Sequence, residues 1–197
     1  MRTAWVGFLS ALILTTGCDR PPEPASAQAP AFTPDSVRRA QLDSFLVGTP
    51  ALTDLEGGAA SREALVRDFV TALEARDTTT LLSLLITRAE FGRLYYPTNP
   101  QAHPPYDLAP GLYWFMVSQH SAKGLGRALE LLGGTALRYA GHSCDSTVSH
   151  EGENTVYGPC TVRLVQAAGD TSEGRLFSLL LERHGRWKFV SYANKLD

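Results

Sequence analysis

The sequence has little clustered positive charge, few cysteines and no apolar run long enough to span a bilayer. Its 18 lysines and arginines, against 20 aspartates and glutamates, form no basic patch or stripe. We therefore expect no nucleic-acid partner, because binding to phosphates requires concentrated positive charge. The sequence also has no glycine-rich phosphate loop and no HExxH, CxxC or G-x-S-x-G motif. No common class of enzyme is indicated.

The longest apolar run, residues 4–14, follows the single charge of Arg2 and is interrupted only by Ser10. Its length is typical of the hydrophobic region of a signal peptide, whereas a transmembrane helix needs roughly 20 apolar residues. We therefore expect residues 1–17 to be a signal peptide that is removed on export.

The run ends in Leu14-Thr15-Thr16-Gly17-Cys18, which resembles the lipobox of bacterial lipoproteins. The sequence departs from that motif at Thr15, where leucine is usual. The resemblance implies that the Cys18 thiol carries a diacylglyceryl group and that cleavage before Cys18 frees an amine for a further acyl chain. Two or three acyl chains hold a protein firmly on a membrane. The expected location is the cell envelope, on the inner or the outer membrane. An ordinary signal peptide is the alternative.

Residues 18–34 comprise the lipidated cysteine and a spacer rich in proline and alanine. Such a composition cannot form a core and favours an extended, solvated chain. Residues 35–60 are expected to be a transition segment with a short helix over 35–46, and the folded domain is expected to occupy 61–197. The spacer contains five prolines: Pro21, Pro22, Pro24, Pro30 and Pro34.

Lipidation of Cys18 leaves Cys144 and Cys160 as an even pair in an oxidising compartment. Their positions are symmetric about Gly152, within a stretch whose composition is typical of a turn. An antiparallel hairpin centred there would place the two cysteines opposite each other. A disulfide that closes a loop of about 15 residues would stabilise the fold by roughly 3 kcal/mol. The same register gives two further facing pairs: Val148 with Val156, and His142 with Val162.

Two alternatives to a disulfide stay open at this point. The cysteines could be free thiols, or His142, Cys144, His150 and Cys160 could form a zinc site. Zinc sites usually contain ligand pairs separated by only two to four residues, and this spacing is absent here. No metal site is therefore predicted.

Apolar residues at helical spacing indicate helices in the first half of the domain. Ser61 is a suitable N-cap for a long amphipathic helix. Pro110 suits the first turn of another helix, which Gly133-Gly134 would end. Between them, residues 97–110 form a loop with five prolines, of a length that is often functional. The expected helices are 61–76, 80–86, 88–95 and 110–132.

The chain after residue 135 has the composition of β-strands. Residues 184–185, His-Gly, suit a two-residue turn between the last two strands. The predicted fold class is α+β, with N-terminal helices packed on an antiparallel sheet of about four strands. The expected strands are 136–149, 155–168, 174–183 and 186–194.

Two parts of the chain resemble the nuclear transport factor 2-like superfamily. Residues 69–77, FVTALEARD, and the leucine-rich stretch 81–85 are similar to the opening of these domains, which begin with a helix ending in ALxxxD. Residues 185–190, GRWKFV, are similar to their last strands. The resemblance implies a strongly curved antiparallel sheet that wraps into a cone with a hydrophobic pocket.

The superfamily includes ketosteroid isomerases, and the resemblance places their catalytic roles at two positions here. Phe69 stands where the isomerases have a tyrosine that donates a hydrogen bond to the oxyanion, and Tyr96 stands where they have the catalytic aspartate. Phe69 has no hydroxyl, and a tyrosine, whose ordinary pKa is near 10, is a poor general base. No catalytic residue and no cofactor are therefore predicted. His103, Asp107 and His120 form the remaining conceivable acid–base set.

Residues 112–117, LYWFMV, are six consecutive apolar residues on a predicted helix, and they cannot all lie on one face. Part of the run should pack on the sheet, and the rest should face a cavity, the proline-rich loop or a partner. We expect a non-catalytic module that binds a small apolar ligand or an envelope protein. A small hydrolase or isomerase with an unrecognised acid–base site is the alternative. The possible pocket residues are Phe69, Leu73, Tyr96, Tyr113, Trp114 and His120.

Metabolic labelling with radioactive palmitate tests the lipid anchor. The protein should incorporate the label and sediment with membranes. Cys18→Ser should abolish both, because the thiol that receives the diacylglyceryl group is gone. Cys144→Ser is the matched control and should keep the label, since that cysteine carries no lipid. Unlabelled wild-type protein in the soluble fraction would contradict the assignment.

Overall fold

Five α-helices precede the strands in the computed structural model, which describes residues 32–146 and 148–193. The predicted signal peptide, Cys18 and most of the spacer lie outside the described residues. The helices are α1 (Asp35–Phe45), α2 (Arg62–Glu74), α3 (Thr78–Ser83), α4 (Arg88–Glu90) and α5 (Pro110–Leu131).

Side-chain caps determine where the helices begin. The Ser61 hydroxyl accepts a hydrogen bond from a backbone N–H of the first turn and starts α2, as predicted. Asp77 caps α3 by accepting from the Thr80 N–H at 3.0 Å, so this helix begins before the predicted residue 80. Thr87 and Glu90 form a reciprocal capping box that starts α4.

The predicted helix over 88–95 is only partly α-helical. Helix α4 continues into a π-helical segment, Phe91–Tyr95. Two 3₁₀ turns, Tyr96–Thr98 and Pro100–Ala102, then occupy the start of the proline-rich loop. Each turn has a proline near its start. Proline fits this position, because it is tolerated in the first turn of a helix but cannot continue an α-helix.

Seven strands follow α5: β1 (Leu137–Cys144), β2 (Val148–Glu151), β3 (Asn154–Tyr157), β4 (Cys160–Gln166), β5 (Thr171–Gly174), β6 (Phe177–Arg183) and β7 (Arg186–Tyr192). Every pairing between these strands is antiparallel. They form a three-stranded sheet in the order β1-β4-β5 and a four-stranded sheet in the order β2-β3-β6-β7. The described residues therefore have the predicted α+β class, with helices before an antiparallel meander.

Three of the four predicted strands are interrupted, and one expected sheet becomes two. The breaks lie between β1 and β2, between β3 and β4, and between β5 and β6. At the second break, Pro159 has no N–H to donate to a ladder, and Gly158 has a φ of 144° that residues with side chains rarely adopt. Neither sheet is strongly curled, so the cone implied by the resemblance is not confirmed.

The predicted disulfide is present. Cys144 and Cys160 pair directly across β1 and β4, and their sulfur atoms are bonded. The free-thiol and zinc alternatives are therefore wrong, because neither sulfur is available as a thiolate. Two further turns also agree with the sequence: residues 152–153 connect β2 to β3, and residues 184–185 connect β6 to β7.

The hairpin register is confirmed on one side of the strand break only. His142 faces Val162, as predicted. Val148 faces Tyr157 instead of Val156, so that predicted pair is wrong by one residue. The shift arises because three residues separate Cys144 from Val148, whereas only two residues separate their partners, Tyr157 and Cys160.

Helix α2 provides the centre of the larger apolar cluster. Leu65, Phe69 and Leu73 lie on one face of this helix and are fully buried. The Phe69 ring packs against the rings of Phe189 and Tyr192 on β7, with ring centroids 5.7 and 5.2 Å away. Full burial of such a side chain stabilises a fold by roughly 1.5–3 kcal/mol, so this contact holds α2 on the four-stranded sheet.

A second apolar cluster surrounds Phe91 and contains Phe45 and Leu55. The Phe45 ring meets the Phe91 ring edge-on, with centroids 5.9 Å apart. Phe45 and Leu55 belong to the stretch expected to be a transition segment. This stretch therefore packs within the same compact unit as the strands.

A buried ion pair joins α4 to β7. The Lys188 ammonium lies 2.9 and 3.0 Å from the two carboxylate oxygens of Glu90, and the two side chains are 3% and 0% exposed. The same carboxylate accepts hydrogen bonds from the backbone N–H groups of Glu56 (2.8 Å) and Thr87 (2.7 Å). A buried charge strongly destabilises a fold unless it is paired and hydrogen-bonded. The pair thereby connects the loop before α2, the start of α4 and β7.

Lys188→Met should lower the free energy of unfolding by about 3–5 kcal/mol, because it leaves the Glu90 carboxylate buried without its cation. The double variant Glu90→Gln/Lys188→Met should lose less, since no uncompensated charge remains. The control is Arg163→Met, which removes an exposed ion pair with Glu173 and should cost less than about 1 kcal/mol. Urea unfolding followed by circular dichroism measures all three variants. Equal losses in Lys188→Met and Arg163→Met would contradict this role.

Candidate functional site

The apolar run of α5 divides between the interior and the surface. The rings of Tyr113 and Trp114 pack on Phe91, with centroids 5.3 and 5.2 Å away. Leu112 and Phe115 point outward and are 52% and 59% exposed. The run therefore packs on the core through one face, and its inward aromatic residues reach two cavities.

Close contacts hold α5 against the end of β7. The Ser121 hydroxyl accepts a hydrogen bond from the Tyr192 N–H at 3.1 Å. Gly124 lies so near the backbone of Ala193 that a methyl group at this position would collide with its carbonyl oxygen. The absence of a side chain at Gly124 lets the helix approach the strand closely, and this approach positions the aromatic residues about two to three turns earlier.

The first cavity, here termed the apolar groove, has a volume of about 260 Å³. It lies between α5 and the connection from α3 to α4, and Val190 of β7 also lines it. Leu82 is exposed, whereas Ile86 is buried, so the groove opens to solvent past Leu82. Its main apolar lining residues are Leu82, Leu85, Ile86, Trp114, Val117 and Leu125.

Polar groups in the lining of the apolar groove already have partners within the protein. The Ser118 hydroxyl donates to the Phe115 carbonyl at 3.1 Å, and Ser121 accepts from the β7 backbone. The Arg88 guanidinium donates to the Phe45 carbonyl at 2.5 Å. The groove therefore offers a ligand mainly apolar contacts.

The second cavity, here termed the tyrosine–glutamate cavity, has a volume of about 390 Å³. Its lining combines apolar residues with a polar cluster at Glu151, the last residue of β2. Asn99 donates its amide to one oxygen of the Glu151 carboxylate, and Ser149 donates its hydroxyl to the other, each at 3.0 Å. The hydroxyls of Tyr95 and Tyr113 lie 3.4 Å apart in the same lining.

Burial changes the titration of the groups around the tyrosine–glutamate cavity. It raises the pKa of Glu151 above its ordinary range, although the hydrogen bonds from Asn99 and Ser149 act in the opposite direction. Burial also raises the pKa of Tyr113, and it raises that of Tyr95 well above the ordinary value. Both phenols are therefore neutral at physiological pH, so each can donate or accept a hydrogen bond.

The structure places two of the six sequence-predicted pocket residues at these two cavities. Trp114 lines the apolar groove and Tyr113 lines the tyrosine–glutamate cavity. Phe69 and Leu73 are fully buried in the cluster around α2 and line neither.

Tyr96 and His120 also lie away from both cavities. Tyr96 is buried, and its hydroxyl donates to the Leu108 carbonyl at 2.8 Å. Burial is the main reason that its pKa is raised. His120 is on the exposed face of α5. Neither residue therefore lines the apolar groove or the tyrosine–glutamate cavity, although Tyr96 lines a separate cavity of about 330 Å³ beside α1.

The acid–base set suggested by sequence does not form a catalytic arrangement among the described residues. Asp107 pairs with Arg38 at 2.7 Å and accepts from the Thr33 N–H at 2.5 Å. The Arg38 guanidinium, with that N–H, lowers the pKa of Asp107 to about 2. The His103 ring donates its Nε2–H to the Pro97 carbonyl at 2.9 Å. No described contact joins His103 or Asp107 to His120. Asp107 thus secures the segment that enters α1.

Sequence reasoning missed the polar cluster around Glu151. The composition around Gly152 predicts a turn there, whereas the structure places Glu151 at the end of β2. Ser149 and Glu151 share one face of the strand because side chains alternate along it. This alternation was a usable signal, but the partner Asn99 lies 52 residues away in sequence and could not be paired with them.

The described helices include none that is long and apolar enough to cross a membrane. Within the same residues, no group of three or more histidines, cysteines or acidic residues is placed to hold a metal ion. The comparisons with family models, curated proteins and solved structures found no match to this chain.

Proposed function

We propose that this chain is an exported, lipid-anchored envelope protein whose α+β domain captures a small apolar ligand without catalysis. The apolar groove beside Trp114 is the observation that carries the proposal. Ligand sites are typically concave and lined mainly by apolar and aromatic side chains. At about 260 Å³ the groove is somewhat smaller than a drug-sized site and suits an alkyl chain or a single ring system.

The anchor and the spacer complete the proposed arrangement. Lipid on Cys18 would hold the chain on a membrane. The residues between Cys18 and α1, in an extended proline-rich conformation of about 3.1 Å per residue, would let the domain move roughly 50 Å from the anchor. Asp107 and Arg38 secure the chain where it enters α1, since Asp107 accepts from the Thr33 N–H and pairs with Arg38. The groove could then sample the space beside the membrane.

Membership of the nuclear transport factor 2-like superfamily, with its cone-shaped sheet, is part of this proposal. Its support is the order of the elements. A long helix ending near Glu74 is followed by the short leucine-containing helix α3, and an antiparallel meander comes last. The interrupted strands are the main departure from the form that the resemblance implies.

Quenching of tryptophan fluorescence by bromododecanoate tests ligand capture. In a Trp187→Phe background, Trp114 is the one tryptophan after residue 17, so quenching reports contact with the groove. The probe should quench this fluorescence saturably. Leu82→Glu, which places a charge at the exposed rim, should weaken binding about tenfold or more, because apolar contacts are lost and the acidic headgroup is repelled.

Phe115→Ala is the matched control, since this neighbouring aromatic side chain faces solvent and should leave binding unchanged. Trp114→Ala, assayed by competition with a labelled fatty acid, should weaken binding and leave the circular dichroism spectrum native. Unfolding of Trp114→Ala would show that Trp114 serves the core. Equal binding by Leu82→Glu and wild type would contradict the groove assignment.

A small hydrolase or isomerase is the second candidate, and the tyrosine–glutamate cavity is what favours it. Acid–base catalysis needs titratable groups in one sheltered site with shifted pKa values. Glu151, Tyr95 and Tyr113 meet that description. Turnover of any ester or ketone substrate by the purified protein, abolished by Glu151→Gln, would favour the enzyme over the binding module.

A further inference from the structure

The domain contains two buried glutamates in contrasting surroundings. Glu90 is neutralised by Lys188, which contacts both carboxylate oxygens. Glu151 is 7% exposed and has hydrogen bonds from the neutral side chains of Asn99 and Ser149. Two hydrogen bonds only partly replace the water that a carboxylate loses on burial.

Glu151 has no cationic partner in the part of the chain that the structure describes. No lysine, arginine or histidine nitrogen within residues 32–146 and 148–193 forms an ion pair with its carboxylate. Burial of an uncompensated charge is costly, and burial accordingly raises the pKa of Glu151. A cation in the adjacent cavity would remove this cost.

The walls of the tyrosine–glutamate cavity suit an organic cation. Tyr95 and Tyr113 line it, together with apolar residues that include Met116 and Leu179. Tyr157 also lines the cavity, but its ring already lies beneath the Arg62 guanidinium, 5.3 Å from the ring centroid. Tyrosine rings attract ammonium groups through their electron-rich faces, and aromatic residues are a common means of binding alkylated ammonium ligands. The apolar residues would contact the carbon substituents of such a ligand.

We propose that the tyrosine–glutamate cavity binds a small organic ammonium compound, with the Glu151 carboxylate as its counter-ion and the tyrosines as its walls. This site is separate from the apolar groove, and its function does not depend on ligand capture there. The volume of about 390 Å³ accommodates an ammonium group with several carbon substituents. Asn99 and Ser149 position the carboxylate, since each donates to one of its oxygens.

Isothermal titration calorimetry of the detergent-extracted full chain tests the site with choline and its uncharged isostere dimethylbutanol. Choline should bind about tenfold or more tightly than the isostere, because only the cation pairs with Glu151. Glu151→Gln should reduce choline affinity to the level of the isostere. Glu173→Gln, which alters an exposed acid on β5, is the control and should leave choline affinity unchanged.

A second pair of variants tests the site without altering the buried carboxylate. Met116 lines the cavity and is 40% exposed, so both substitutions should be tolerated. Met116→Lys supplies an ammonium group within the chain and should abolish choline binding by occupying the site. Met116→Gln has similar length without charge, so it should weaken choline binding far less than Met116→Lys.

Equal affinity for choline and dimethylbutanol would overturn the proposal, as would choline binding that survives Glu151→Gln or Met116→Lys. Phosphatidylcholine vesicles distinguish two sources of the same chemistry. Vesicles that displace choline would assign the cation to a lipid headgroup, and vesicles that do not displace it would assign it to a soluble amine. Either result supports an ammonium site, provided that choline itself binds as expected.

Discussion

The buried pair of Glu90 and Lys188 determines how the helical half meets the sheets. It secures the start of α4 on β7, where the preceding residues also pair with the strand: Ile86 N–H donates to the Phe189 carbonyl at 2.9 Å. This connection forms one side of the apolar groove and leads into the π-helical segment that carries Tyr95. Both cavities therefore depend on one electrostatic contact, because the residues just before Glu90 line the apolar groove and the segment just after it carries Tyr95 of the other cavity.

Helix α5 supplies the other shared element. Tyr113 and Trp114 are consecutive, and successive helical residues are rotated by about 100°. Both rings contact Phe91, yet Tyr113 lines the tyrosine–glutamate cavity and Trp114 lines the apolar groove. A single run of apolar residues thus packs on the core and contributes to two cavities whose linings differ in chemistry. One is almost wholly apolar, and the other surrounds a buried carboxylate.

The sequence was informative where one local rule decides the structure. Three predictions each depend on a single local pattern, and each was correct: Ser61 as an N-cap, the apolar spacing of α2 and the symmetric cysteines. The strand breaks and the one-residue register shift were missed, since they depend on how neighbouring strands accommodate Gly158 and Pro159. The two buried glutamates were also missed. Their partners are distant in sequence, and an isolated glutamate is ordinarily a surface residue.

The pocket residues were also only partly predicted, because the family resemblance indicated positions that this chain uses for its core. Phe69 fills the interior here, whereas Trp114 reaches a cavity. Native mass spectrometry of the full chain, purified from cells that produce it, tests ligand capture most directly. The account predicts a bound small molecule on the wild-type protein that is absent from Leu82→Glu prepared in the same way. A wild-type spectrum that contains only the chain without a bound molecule, or the same bound mass on both proteins, would contradict it.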